Sequence, residues 1–392
     1  NDDADMGFVI GVPKIVRLRT SAKGANPATD KWFVAVASGV NNYAKDGYSE
    51  QVSASGKPAI FLLDLSKEKN APWRLGQNFY KISLPINKGL ARTQATGVVN
   101  FNVAWGSDQF VHKLFAGDLH GNMWALDFSN VENGTADWNF AKLSSFGDKQ
   151  PMFVAEDASG SRQPITVAPV VASGKKQGSL IVAFGTGKYL EAADRINKQV
   201  NTFYALYDYE TTRIEGREDL QKGVVDSDSK KVVVPRFKWG KSGGGKSGWY
   251  FDFSASGERQ VMPASGISAS TVNFGTVIPD ENASATHSCG DSVDSGALYS
   301  IDLDGNGVFV KSNVGLYGGA VMLQTNVVES LSDSTGRRRT TVTEYPVHFG
   351  SEGSMVGSKQ TYSFVSGRLS WRQIQNYLDQ KNDVGASSGG TP

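Results

Sequence analysis

Cysteine is almost missing from this sequence. Cys289 is the only one in 392 residues, so no internal disulfide can form. Free cysteine is among the most buried side chains, and Cys289 is read as buried and inert. Histidine is scarce as well. His112, His120, His287 and His348 have no neighbour at zinc-ligand spacing. A histidine-based metal centre or a Ser-His-Asp site would have to assemble from distant loops, and nothing in the sequence calls for one. No apolar run approaches the roughly 20 residues that a membrane-crossing helix needs. Charge of one sign is also lacking, with 40 basic against 39 acidic residues. That balance argues against a general nucleic-acid or membrane-surface binder. There is no signal peptide, and the chain starts at Asn1-Asp2-Asp3 without a Met. It is read as a segment of a longer, exported protein, so missing targeting signals exclude little.

What is present is the composition of a large β fold. Hydrophobic residues make up 39% and aromatics 10%. Glycine is high at 44 residues, against only 13 prolines. Abundant glycine among aromatic and β-branched residues suits many strands joined by tight turns. Short apolar runs bounded by turn residues recur: 32–37, 59–64, 113–116, 123–126, 180–184, 202–206 and 308–310. Helical periodicity is confined to Ser370–Leu378, where Trp371, Ile374 and Leu378 share a face, and to a short stretch from Leu190 to Ile196.

One phrase repeats. It runs from an apolar strand through a glycine and a turn to a second strand closing on Leu-Asp or a variant. The best copy is Leu114-Phe115-Ala116-Gly117-Asp118-Leu119-His120-Gly121-Asn122-Met123-Trp124-Ala125-Leu126-Asp127. Others run from Val34 through Gly39 to Asp64, from Val182 through Gly185 to Tyr207, and from Phe274-Gly275 to Asp302. The anchor glycines Gly39, Gly117, Gly185 and Gly275 lie 78, 68 and 90 residues apart. Those gaps exceed the roughly 40–50 residues of a regular propeller blade. A strand pair cannot bury its own faces, so such units must stack around an axis. The expected fold is therefore all-β, an irregular or modified β-propeller of seven blades with a few short helices and long inserted loops. A large β-sandwich is the alternative. The propeller domain is expected to occupy 1–384, with a disordered tail at 385–392. Polar stretches at 224–231, 238–247 and 329–339 read as exposed loops.

Few constellations carry chemistry. Gly240, Gly245, Lys246 and Ser247 match phosphate-loop spacing, but the following Gly248–Phe253 reads as strand where a helix is required. A hairpin tip is expected there. Asp302, Asp304 and Asn306 place oxygen donors at alternate positions with Gly307 sixth, which is the first half of a calcium loop. The twelfth position is Asn313, not a bidentate Glu, and an Asp-Gly hairpin turn fits the same residues. Asn100, Asn102 and Asp108 form a second calcium candidate. The Arg337-Arg338-Arg339 cluster reads as a solvated loop tip.

Matches to one family run in order along nearly the whole chain. They are Asp3-Ala4-Asp5-Met6-Gly7, Gly11-Val12-Pro13-Lys14-Ile15, Trp32 to Gly39 with Asn41-Asn42-Tyr43, the Ala116-Gly117-Asp118-Leu119 phrase, Gln163–Pro169, Phe184–Tyr189 and Ser366–Arg372. These phrases resemble the C-terminal domain of the PilC/PilY proteins of bacterial type IV pili. The resemblance implies a modified β-propeller at the cell surface or pilus tip, associated with the outer membrane. Its implied roles are pilus biogenesis against retraction, twitching motility and host-cell adhesion. Implied partners are pilus subunits or minor pilins and a host receptor, not nucleic acid. Many members carry a calcium loop directly before the Ala-Gly-Asp-Leu phrase. The equivalent segment here is 100–112, in which His112 stands at the closing Asp position and the central carboxylates are replaced. No Arg-Gly-Asp tripeptide occurs. The expected function is non-catalytic. A quinone-dependent dehydrogenase propeller and a generic extracellular scaffold stay open beside it.

Overall fold

The computed structural model describes residues 3–40, 57–268, 271–280, 294–312, 321–331, 338–349, 355–357 and 360–366, apart from 4, 130, 148 and 210–212. Cys289, His287, Asn313, Arg337, the expected helix at 370–378 and the tail at 385–392 lie outside the described residues. The contacts divide the chain into two compact units. One is Asn1–Ala320 with His348–Val356, and the other is Val321–Val347 with Gly357–Pro392.

Among the described residues, four sheets lie within residues 1–320. The first contains β1 (Lys14–Arg19), β2 (Asp30–Ala37), β4 (Ala59–Asp64) and β5 (Phe79–Ser83), all antiparallel in that order. The second runs β3 (Gly39–Val40), β6 (Gly97–Trp105), β7 (Val111–Asp118), β8 (Asn122–Asp127), β9 (Phe153–Val154). The third runs β10 (Val170–Ser173), β11 (Leu180–Gly185), β12 (Thr202–Asp208), β16 (Gly248–Asp252), β13 (Gln221–Lys222). The fourth runs β14 (Val224–Asp226), β15 (Lys231–Val233), β20 (Gly307–Ser312), β19 (Gly296–Asp302), β18 (Thr271–Gly275), β17 (Ser265–Ser268). In the second unit, β21 (Val321–Leu331) and β22 (Arg338–Phe349) form a long hairpin, and β24 (Gln360–Ser366) pairs with β22. A short β23 (Met355–Gly357) precedes β24.

Each copy of the repeated phrase falls on one adjacent strand pair of one sheet: β2 with β4, β7 with β8, β11 with β12, and β18 with β19. The phrase is therefore the blade signature. Among the described residues four sheets carry the phrase, beside a fifth sheet formed by β21 to β24.

Three cores lie between successive sheets. Val16, Phe33, Ile60 and Leu62 of the first sheet meet Phe101, Leu114, Trp124 and Leu126 of the second. Phe115 and Met123 of the second meet Val182, Phe184, Tyr204 and Leu206 of the third. Ile181, Phe203, Trp249 and Phe251 of the third meet Phe274, Tyr299, Ile301 and Phe309 of the fourth. Strand side chains alternate faces, so a sheet inside this stack must be apolar on both sides. That is why 180–184 and 202–206 read as continuous apolar runs and not as alternating ones. Each fully buried aromatic contributes roughly 1.5–3 kcal/mol from burial alone. Phe203, Phe274 and Tyr299 add a stack with centroids 4.3 and 5.0 Å apart and ring planes within 5°.

The anchor glycines work differently from expectation. Only Gly39 among the four adopts the left-handed region, at φ 84°. Gly117 and Gly185 lie within strands, and their role is close approach. A Cβ on Gly117 would meet Ile165 Cγ2 at 2.1 Å, and one on Gly185 would meet Gln260 Oε1 at 2.3 Å. Helix content is small, as expected: α1 (Phe140–Leu143) is a single turn, and the stretch from Leu190 is a 3-10 turn at Ala192–Arg195. Among the described residues, no helix is long and apolar enough to cross a membrane.

Candidate functional site

The turn between β7 and β8 is built around Asp118. Its carboxylate accepts from His120 N (2.9 Å), Asn122 N (2.9 Å), Asn122 Nδ2 (2.8 Å) and Trp124 Nε1 (2.7 Å). Asp118, Asn122 and Trp124 are all buried. The Asp thus closes the turn and fixes the indole that fills the core between the first two sheets. Gly121, at φ 78°, gives the turn its left-handed residue and leaves no room for a Cβ against Ala155 O and Gln163 O at 2.8 Å. His120 lies in this turn, as read from sequence, with its ring buried.

Directly before this motif, the β6–β7 hairpin holds the second calcium candidate. The structure does not bring its donors together. Asn100 donates to Thr166 O (2.9 Å) and accepts from Val12 N (3.2 Å). Asn102 donates to Pro169 O (2.9 Å). Both side chains tie neighbouring segments to β6. Asp108 lies beyond Trp105 at the hairpin tip, and Asn100 is about 16 Å back along the strand from that end. Asp108 instead pairs with His112 Nε2 at 2.9 Å. The hydrogen bond from His112 holds the Asp108 carboxyl below the usual carboxylate range. Asn100, Asn102 and Asp108 do not fit a shared cation here, because two of the three are already committed to separate backbone segments.

The Asp302, Asp304 and Asn306 segment is a hairpin turn between β19 and β20. Asp302 Oδ1 accepts from Asp304 N (3.0 Å) and Asn306 N (2.8 Å), and Gly305 sits at φ 91°. Asp304 pairs with Lys175 at 2.7 Å, and Asn306 Oδ1 accepts from Val234 N at 3.2 Å. Among the described residues, no group of three His, Cys, Asp or Glu side chains could hold a metal ion.

Two expected loops are partly ordered into strands. Residues 224–231 contribute the β14–β15 hairpin, whose turn is closed by Asp226 accepting from Asp228 N and Ser229 N. Alternation of Val and charged residues over a run this short resembles a polar loop, and pairing with β20 is what selects the strand. The stretch 238–247 is a hairpin tip with Gly243 and Gly244 in the left-handed region, followed by strand β16. No helix follows the phosphate-loop-like spacing. In the second unit, Glu329 to Leu331 and Arg338 to Arg339 are paired strand ends, so Arg338 and Arg339 belong to β22 and not to a loop.

Sequence reasoning missed a polar cavity of about 270 Å³, lined in part by Arg162, Lys188, Glu191, Asp194, Asn201 and Arg259. Its charges answer one another. Lys188 pairs with Glu191 (3.0 Å) and Asp194 (2.9 Å). The buried Arg259 donates to the carbonyls of Gly257, Lys188, Asp194 and Asn197. Three of these carbonyls, on Lys188, Asp194 and Asn197, lie 71, 65 and 62 residues before Arg259, a separation that no local pattern reveals.

The architecture has counterparts among known proteins. A profile of the PilY1 beta-propeller domain matches residues 3–234. A type IV pilus biogenesis factor PilY1 homolog of Xylella fastidiosa is 28% identical over 296 residues, covering 71% of this chain and 18% of that protein. The type IV pilus biogenesis factor PilY1 of Pseudomonas aeruginosa is 29% identical over 295 residues, covering 66% of this chain and 22% of that protein. The chain thus spans about a fifth of the length of these relatives. The crystal structure of the Pseudomonas aeruginosa PilY1 C-terminal domain superposes with a TM-score of 0.56 at 21% identity, over 86% of this chain and 72% of that one, and so supports the fold. With the profile covering more than half of the chain, the protein belongs to the PilY1 β-propeller domain family.

Proposed function

We propose that this domain serves type IV pilus biogenesis as a non-catalytic, surface-displayed scaffold. The observation that carries the reading is the profile match over residues 3–234, which spans the first two sheets, every strand of the third except β16, and strands β14 and β15 of the fourth. The full-length relatives it resembles are named type IV pilus biogenesis factors. A stack of sheets with three shared cores is a rigid platform, and its inserted loops are the parts free to meet partners. The finer roles are opposition to pilus retraction, twitching motility and host-cell adherence, performed at the cell surface or pilus tip. The partners proposed are pilus subunits or minor pilins and a host receptor. The segments 225–247 and 328–340 are the proposed contact elements.

The test is deletion of this domain in the native organism, with surface pili counted in the presence and absence of the retraction motor. Loss of pili that is restored when the motor is removed supports the assembly role. Unchanged piliation in both backgrounds overturns it. Separate removal of the 225–247 and 328–340 tips is expected to lower adherence, and normal adherence would remove them as contacts.

A further inference from the structure

The outer face of β1 and β2, together with the β6–β7 hairpin, carries aromatic rings that the cores do not use. Trp32 is 48% and Trp105 47% exposed, with ring centroids 6.5 Å apart and tilted by 45°. Ile15, on the same face of β1, is 61% exposed. Two half-exposed indoles in contact, beside charged Arg17 and Asp30, form an apolar patch with a polar rim, and such patches mark binding surfaces.

The patch is also pre-set. Asp30 holds the Arg17 guanidinium at 2.6 Å, and that guanidinium lies 4.7 Å from the Phe110 ring and 6.0 Å from Trp32. Arg19 lies 5.6 Å from Phe110. The strand register fixes this arrangement, because Arg17 is opposite Trp32 and Arg19 opposite Asp30. Beside the rings opens a cavity of about 150 Å³ whose lining includes Arg19, Lys23, His112, Ser21, Ser129 and Phe110. The acid in this lining, Asp108, is taken by His112. Arg19 and Lys23 make no ion pair among the described residues, which leaves both cations available to an anionic ligand.

We propose that this surface is a binding site for an acidic glycan. Flat indole faces match the C–H faces of pyranose rings, and the Ser21 hydroxyl, which accepts from Thr29 N at 3.1 Å, keeps its proton to donate to a sugar hydroxyl. Arg19 and Lys23 match a sugar carboxylate or sulfate. A nucleic-acid strand also stacks on aromatics, but it needs cations along a whole backbone groove, and here the free cations are two and sit at one end. The site is separate from the 225–247 and 328–340 contacts and does not rest on the pilus role.

The experiment titrates the 392-residue chain with 3′-sialyllactose, a heparin-derived tetrasaccharide, a tetragalacturonate, lactose, cellotetraose and a twelve-residue oligothymidine, followed by tryptophan fluorescence and ligand-detected NMR. At least one acidic probe is expected to bind saturably, in the high-micromolar to millimolar range, and about tenfold more tightly than the neutral sugars. Arg19→Ala with Lys23→Ala removes that preference and leaves weak sugar contact. Trp32→Ala with Trp105→Ala abolishes binding of all sugars. Both pairs are exposed, so the variants retain the wild-type melting temperature. The proposal is overturned if no acidic probe binds below about 10 mM. Equal binding of neutral sugars or of oligothymidine, or wild-type binding by both variants, overturns it as well.

Discussion

Lys113 on β7 and Asp208 on β12 meet at 2.7 Å and tie the second sheet to the third. Asp208 is the last residue of β12, directly after the third copy of the repeated phrase, and its side chain is only 3% exposed against 25% for Lys113. Burial pushes the Asp208 carboxyl above the usual carboxylate range, and the attraction of Lys113 does not fully offset it. Removing the cation alone leaves a buried charge without a partner. Lys113→Met is expected to cost about 2–3 kcal/mol at neutral pH, more than Asp208→Asn. Because the folded carboxyl binds its proton more tightly than the unfolded one, its ionisation lowers stability as pH rises from about 4 through the folded pKa. The deficit of Asp208→Asn relative to wild type should therefore shrink between pH 4.5 and pH 7.5. Urea unfolding of both variants at the two pH values measures this, and equal costs for the two substitutions would show that burial of the charge is not the controlling effect.

The Asp118 turn gives a second expectation. Asp118→Ala leaves three buried donor groups on Asn122 and Trp124 without their acceptor. A loss of about 3 kcal/mol or more is expected, with a weakened near-ultraviolet signal from Trp124. Asp118→Asn keeps one carbonyl acceptor and should lose less. A melting temperature within a degree of wild type for the alanine variant would contradict the assignment.

Glu258 is buried and accepts from Thr276 Oγ1 (2.6 Å), Tyr299 OH (2.9 Å) and Ala255 N (3.2 Å). Burial raises its pKa, and the three hydrogen bonds pull in the opposite direction without overcoming it. The favourable contribution is present below the unfolded value near 4.3 and is lost as pH rises through the folded value. Glu258→Gln should thus gain on wild type as pH increases from 5 to 8, by thermal melts at each pH. A constant difference across that range would mean that Glu258 does not change protonation there.

At the β19–β20 turn, Asp302 is occupied by two backbone amides and Asp304 by Lys175. Asp302→Ala is expected to destabilise by about 1 kcal/mol through loss of the turn. Millimolar calcium is expected to leave the melting temperature of wild type unchanged. A calcium-dependent rise of several degrees that disappears in the Asp302→Ala, Asp304→Ala double variant would establish the loop as a cation site instead.

Much of the blade structure was legible in sequence because strand patterning is local. The runs at 113–116 and 123–126, joined by Gly117 and Asp118, place β7 and β8 before any contact is known. Continuous apolar stretches at 180–184 and 202–206 already require burial on both faces. The short hairpin at 224–233 was not legible, since its strands are selected by pairing with β20 more than 70 residues away. Nor was the role of Asn100 and Asn102, whose spacing resembles a ligand set but whose amides hold the 166–169 segment.

The sequence by itself determined the all-β class, the four phrase-bearing strand pairs and the Asp-closed turns, because alternation and turn chemistry act over a few residues. Tertiary structure alone decided which distant groups meet: Lys113 with Asp208, Arg259 with the carbonyls of Lys188, Asp194 and Asn197, and Trp32 with Trp105. Those meetings depend on register and sheet stacking across separations of tens of residues, and no local pattern encodes them.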